Sequence, residues 1–182
     1  MSKVLNQRWD LDSLFPGGSE SSEYAAYLDQ LETDIAAFRK QVQAARTPAS
    51  PAEVGAWIGL LDTFQEIARR QRDAGAFVGC LNAQNMKDDK AKLLGGRLKQ
   101  MSAAFSSVLN LLDAQLVAMS EPVWKALLAD PRCKEIGFNL AERRSRAAEK
   151  MGPERESLAG DLAVDGYHAW GDLYNVLIGR TH

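Results

Sequence analysis

The chain has 182 residues, 46% hydrophobic and 25% charged, with a formal net charge of −2. That is enough apolar content for one domain or one large helical lobe, and it excludes a largely disordered chain. The near-neutral balance supplies no basic footprint for nucleic acid.

Residues 1–21 read as an extended N-terminal arm. In Trp9-Asp10-Leu11-Asp12-Ser13-Leu14-Phe15 large apolar and polar residues alternate, and the run stops at Pro16-Gly17-Gly18. This pattern predicts a docking segment followed by a turn, pinned to a helical body by Trp9, Leu11, Leu14 and Phe15. Residues 22–182 read as one helical domain. Ser21 or Ser22 is a fitting N-cap for its first long helix. The stripe Tyr24, Leu28, Leu31, Ile35, Phe38, Val42 and Ala45 advances in steps of four and three, which keeps one helix face apolar. Two prolines, Pro48 and Pro51, end that helix, and Ser50-Pro51 opens the next.

The second helix is expected from about Pro51 toward Asn85, on the order of 50 Å at 1.5 Å per residue. Its stripe is Val54, Trp57, Ile58, Leu61, Phe64, Ile67, Ala68, Ala74, Phe77, Val78 and Leu81. The run Arg69-Arg70-Gln71-Arg72-Asp73 interrupts it. That run reads either as a solvated face or as a basic patch lining a groove that meets acidic groups or a peptide C-terminus. Gly55, Gly59, Gly75 and Gly79 each weaken the helix by roughly 1 kcal/mol relative to alanine. A polar connection at Lys87–Lys90 precedes a third helix carrying Leu94, Leu98, Met101, Phe105, Val108, Leu112, Leu116 and Met119, with a weak spot at Gly95-Gly96.

A shorter helix follows over 122–130 and a charged one over 139–152, where Glu142 and Arg146 form an i,i+4 pair worth a few tenths of a kcal/mol. Two closing segments, about 154–164 and 166–178, are separated by a break at Asp165-Gly166. No stretch alternates with period two, so the expected fold is all-α, long antiparallel helices packed as a bundle-like lobe with essentially no sheet.

Chemistry is sparse. His168 and His182 are the only histidines, and there is no HExxH and no GxSxG. Gly95-Gly96 belongs to no phosphate loop. Cys80 and Cys133 share no metal or redox spacing and read as free thiols in a reducing cytoplasm. Residues 1–8 hold no apolar leader core and no apolar run reads as long enough to span a bilayer, so the expected location is cytoplasmic. The residues therefore assign no catalytic, metal or cofactor site.

The Trp9-to-Pro16 arm, the Ser-rich start of a helix holding Tyr24, Tyr27 and Leu28, the long helical pair and the segment 140-LAERRSRAAEKMGPERESLAGDLAVDGYHAWGDLYNVLIG-179 together resemble the N-terminal helical region of the oligoendopeptidase F family, related to thimet-type oligopeptidases. The family-like residues are packing residues: Trp9, Leu11, Phe15, Trp170, Leu173 and Tyr174. The resemblance implies a mostly helical lobe of a zinc metallopeptidase that hydrolyses short peptides. In that family the HExxH helix lies downstream of the matched region, so zinc belongs to the parent enzyme and this chain alone is expected to be inactive. The implied partners are a C-terminal catalytic domain of the same polypeptide and short peptides, with no nucleic acid and no membrane. A lobe separated from such a body exposes the apolar surface that met it, which predicts a homodimer through that face. The alternative is a stand-alone helical protein-interaction module.

Overall fold

Short polar side chains set where the helices begin. The computed structural model describes residues 9–151 and 153–180. Its helices are α1 Ser22–Ala44, α2 Val54–Gln84, α3 Asp89–Ala118, α4 Glu121–Ala129, α5 Gly137–Glu149, α6 Pro153–Ala163 and α7 Ala169–Arg180. The described residues contain no strand, so the all-α expectation holds. Ser21 Oγ accepts from the Tyr24 N–H at 3.2 Å and Asp88 Oδ1 from the Ala91 N–H at 2.9 Å. Each satisfies one of the amides that a helix start leaves without an internal partner. Ahead of α2, Glu53 reaches back to the Ala49 N–H and the Ser50 hydroxyl, both at 3.0 Å. These bonds hold the Glu53 carboxyl below its ordinary value, the Ala49 amide contributing most.

The fold divides into two compact units. The first comprises Met1–Phe38 and Thr63–Ala104, the second Arg39–Asp62 and Phe105–His182. Each of α1, α2 and α3 therefore contributes one stretch to either unit.

In the first unit, Tyr24, Leu28, Leu31 and Ile35 of α1 are buried, as are Ile67, Ala74, Phe77, Val78 and Leu81 of α2 and Leu98 and Met101 of α3. Phe64 and Leu94, placed on the same stripes by spacing, are half-buried. The described part of the arm is wound into two 3-10 turns, Leu11–Ser13 and Gly18–Glu20. At the start of the second turn Gly17 and Gly18 take φ of +91° and +58°, a region open to glycine and strained for other residues, and the Gly17 N–H donates to Asp12 Oδ1 at 2.9 Å.

In the second unit, Val42, Trp57, Ile58, Leu61, Phe105, Val108, Leu112, Leu116, Met119, Val123 and Leu127 are buried. Gln115 ties this core together. Its Oε1 accepts from Trp57 Nε1 at 2.7 Å, and its Nε2 donates to the carbonyls of Val42 at 3.0 Å and Ala45 at 3.2 Å. One amide thus satisfies the Trp57 indole and two carbonyls at the end of α1.

Two expectations need correction. By length and composition α3 could cross a membrane, with a mean hydropathy of 1.3 over an 18-residue window. Leu98, Met101, Phe105, Val108, Leu112 and Leu116 on it are nonetheless buried, while Leu93, Leu111 and Val117 are exposed, and the core helix of a folded domain shares that composition. The break at Asp165-Gly166 is instead a π turn, Val164–His168, that carries the helical path from α6 into α7.

Candidate functional site

The arm and two helices of the first unit enclose a cleft of about 700 Å³. Phe15 forms its aromatic wall, edge-on to Tyr24 at 5.0 Å, to Tyr27 at 5.5 Å and to Phe77 at 4.9 Å. Such edge-to-face contacts each add about 0.5–1.5 kcal/mol beyond area burial. The Tyr24 hydroxyl donates to the Ala74 carbonyl at 2.9 Å, and burial pushes its phenol well above the ordinary tyrosine value. Leu11 is buried beside this cluster, while Trp9 lines the cleft with 75% of its surface exposed.

The arginine run reaches the same cleft, where Arg69 and Arg70 line it with Glu66 and Asp73. Arg69 bridges Glu66 at 2.7 Å and Asp73 at 3.0 Å. Arg70 pairs with Asp34 and lies over the Tyr27 ring at 5.0 Å. The Arg69 hydrogen bond draws the Glu66 carboxyl below its ordinary value and raises the guanidinium in turn. Groove and basic residues therefore coincide, but each of these two cations already holds a carboxylate. The exposed Arg69 pairs are worth at most about 1 kcal/mol each, while the Arg70–Asp34 pair is partly buried. The cleft is an apolar recess with a charge-balanced rim.

The second unit has a polar cluster of its own. Asp113, nearly buried, accepts from Arg143 at 2.7 Å and from Lys150 at 3.4 Å, which ties α5 to α3. Arg144 donates to the Met119 carbonyl at 2.7 Å and lies over the Trp124 ring at 4.7 Å. The predicted Glu142–Arg146 pair is present at 2.7 Å. Cys133 is buried, which pushes its thiol up and makes it inert; Cys80 is half-buried beside the cleft.

The end of this unit behaves differently. From Gly166 to Gly179 every residue is exposed. Tyr167 shows 78% of its surface, Trp170 70% and Tyr174 63%, and Leu158, Leu162, Leu173, Val176, Leu177 and Ile178 are exposed with them. Of the six packing residues expected from sequence, Trp9, Leu11 and Phe15 gather around the cleft, and Trp170, Leu173 and Tyr174 share the bare apolar face of α7. Gln115 and Asp113 carried no sequence signal, since neither a lone glutamine nor a lone aspartate on an apolar helix announces its partner.

Among the described residues no group of three histidine, cysteine, aspartate or glutamate side chains is placed to hold a metal ion. His168 is exposed on the π turn, and His182 lies outside the described residues. The family model for Oligopeptidase F, an N-terminal-domain model, matches residues 115–181. That span runs from Gln115 through α4, α5, α6 and α7, less than half of the chain, and this part is similar to the N-terminal region of that family. The Trp9–Pro16 motif lies outside it. No curated protein and no solved structure matches the chain.

Proposed function

We propose, from the oligoendopeptidase F-like N-terminal region at residues 115–181, that the chain is the non-catalytic helical lobe of a zinc metallopeptidase acting on short peptides in the cytoplasm. The family match carries this reading. The zinc of such a peptidase does not fit the donor set here, which has one described histidine, no HExxH and no three-ligand group among the described residues. No step is therefore routed through a metal held by these residues. The lobe instead supplies wall: rigid helices that limit which peptides enter, and a body against which a catalytic part closes.

The coding sequence tests this directly. Read past the codon for His182, it is expected to continue in frame to an HExxH motif. A stop codon at that point, together with a purified chain that binds no HExxH-bearing protein, would overturn the reading. That outcome favours the second reading, a stand-alone helical interaction module, which the exposed side chains of α7 also support.

A further inference from the structure

The π turn sets the register of an apolar seam. A π turn closes its hydrogen bonds at i→i+5 rather than i→i+4, so it takes up one more residue than an α turn. With Val164–His168 as one such turn, Leu162 and Trp170 are eight residues apart in sequence but effectively seven, two full turns. Leu158, Leu162, Gly166, Trp170, Leu173 and Leu177 then fall on one line with alternating steps of four and three. That is the a/d pattern of a two-helix seam. Counted without the extra residue, Leu158 and Leu162 would sit about 100° away from Trp170.

We propose that this seam binds a second copy of the chain, α6–α7 against α6–α7, in antiparallel orientation. About a two-fold axis the a and d positions then pair in a fixed way. Leu158 lies opposite Leu177 of the second copy, Leu162 opposite its Leu173, and Gly166 opposite its Trp170. The largest residue of the seam meets the smallest, twice per dimer. A parallel pair would set Trp170 against Trp170 and Gly166 against Gly166, which overfills one layer and empties another.

Gly166 has no duty within its own chain that explains the missing side chain. Its φ is not positive, and an added Cβ would meet nothing within 4 Å. Alanine would favour the helix there by close to 1 kcal/mol. The space is accounted for by an incoming indole.

The area is sufficient. Trp170 on the seam, with Tyr167 and Tyr174 flanking it one residue beyond Gly166 and Leu173, offers with them on the order of 400 Å² at the exposures given above. That is about half of the ~800 Å² each partner gives to a standard interface, and the exposed leucines of the seam add to it. A lipid surface is the other taker of such a face, but interfacial helices carry lysine and arginine on their polar side. Residues 153–180 have five Asp and Glu against two Arg and no Lys. The inference rests on the seam of this chain and is tested by its sedimentation, whereas the peptidase reading is tested by the coding sequence past His182, so the failure of one is distinguishable from the failure of the other.

Sedimentation of the full chain across a concentration series is expected to show a monomer–dimer equilibrium. Trp170→Ala should raise the dimer Kd by at least about 30-fold, the hot-spot threshold. Gly166→Phe should abolish the dimer, whereas Gly171→Phe, equally open within the chain but off the seam, should keep it. Unchanged far-UV circular dichroism will show that each variant is folded. Orientation is read in a Cys80→Ser background. Leu162→Cys and Leu173→Cys should form a mixed disulfide with each other, and neither should cross-link to itself. A monomer at every concentration, a Gly166→Phe dimer, self-cross-linking of Leu162→Cys, or a monomer that binds anionic phosphatidylserine vesicles would each overturn the proposal.

Discussion

Replacing Gln115 by leucine removes one side-chain amide and disturbs three groups. The Trp57 indole N–H, on a residue only 3% exposed, loses its acceptor. An orphaned buried donor costs about 1–3 kcal/mol. The carbonyls of Val42 and Ala45 lose their donor from Nε2, at about 0.5–1 kcal/mol each. Leucine recovers part of this, since it fills the volume and buries apolar surface, roughly 1 kcal/mol. The net loss is about 2–3 kcal/mol, which in a chain of this size lowers the melting midpoint by about 5–10 °C. The assay is a thermal melt followed by circular dichroism. Gln115→Glu supplies the control. Its carboxylate keeps an acceptor for Trp57 but faces two carbonyl oxygens, which raises its folded pKa. A raised acid contributes its stability at low pH and loses it as pH rises through the folded value. Gln115→Glu should therefore melt closer to the parent in acid than at neutral pH. A Gln115→Leu melt superimposable on the parent would refute the reasoning.

Three further outcomes follow. Phe15→Ala, which strips one ring from three edge contacts, should cost about 2–3 kcal/mol in a denaturant titration, while Trp9→Ala, mostly exposed, should stay within about 0.5 kcal/mol. Backbone and arginine hydrogen bonds hold Glu53, Glu66, Asp88 and Asp130 below their ordinary values of 4.5 and 3.8. Depressed acids contribute stability that is present above the ordinary value and lost as pH falls through the folded one, so the melting midpoint should be level above 4.5 and decline below 3.8. Asp88→Asn keeps the cap and should flatten part of that decline. Iodoacetamide should label half-buried Cys80 well before Cys133, whose burial disfavours the thiolate; mass spectrometry of the labelled peptides reads the order.

The helical stripes were legible because steps of three and four report which face is apolar. Tyr24, Leu28, Leu31, Ile35, Phe38 and Val42 were placed by spacing, and all are buried. The same spacing in α7 produced an exposed face, because periodicity says that a face is apolar and not what covers it. The arginine run illustrates the other limit. Glu66 and Asp73 stand three and four residues from Arg69, so those pairs could be read along the chain. Asp34, which pairs with Arg70, is 36 residues away and only the fold brings it there. At 165–166 the glycine suggested a break. The eight-residue step from Leu162 to Trp170 announces no π turn, since Val108 and Leu116 stand eight apart on the buried stripe of α3, so the turn is read only from the backbone.

Hydrolysis of a quenched fluorescent peptide in the presence of zinc tests the central claim most directly, on the purified chain alone and on the same chain joined to an HExxH-bearing oligopeptidase half. The account predicts zinc-dependent turnover only for the joined protein. Turnover by the chain alone that rises with zinc and co-elutes with it would contradict the claim that these helices support a metal centre supplied from elsewhere.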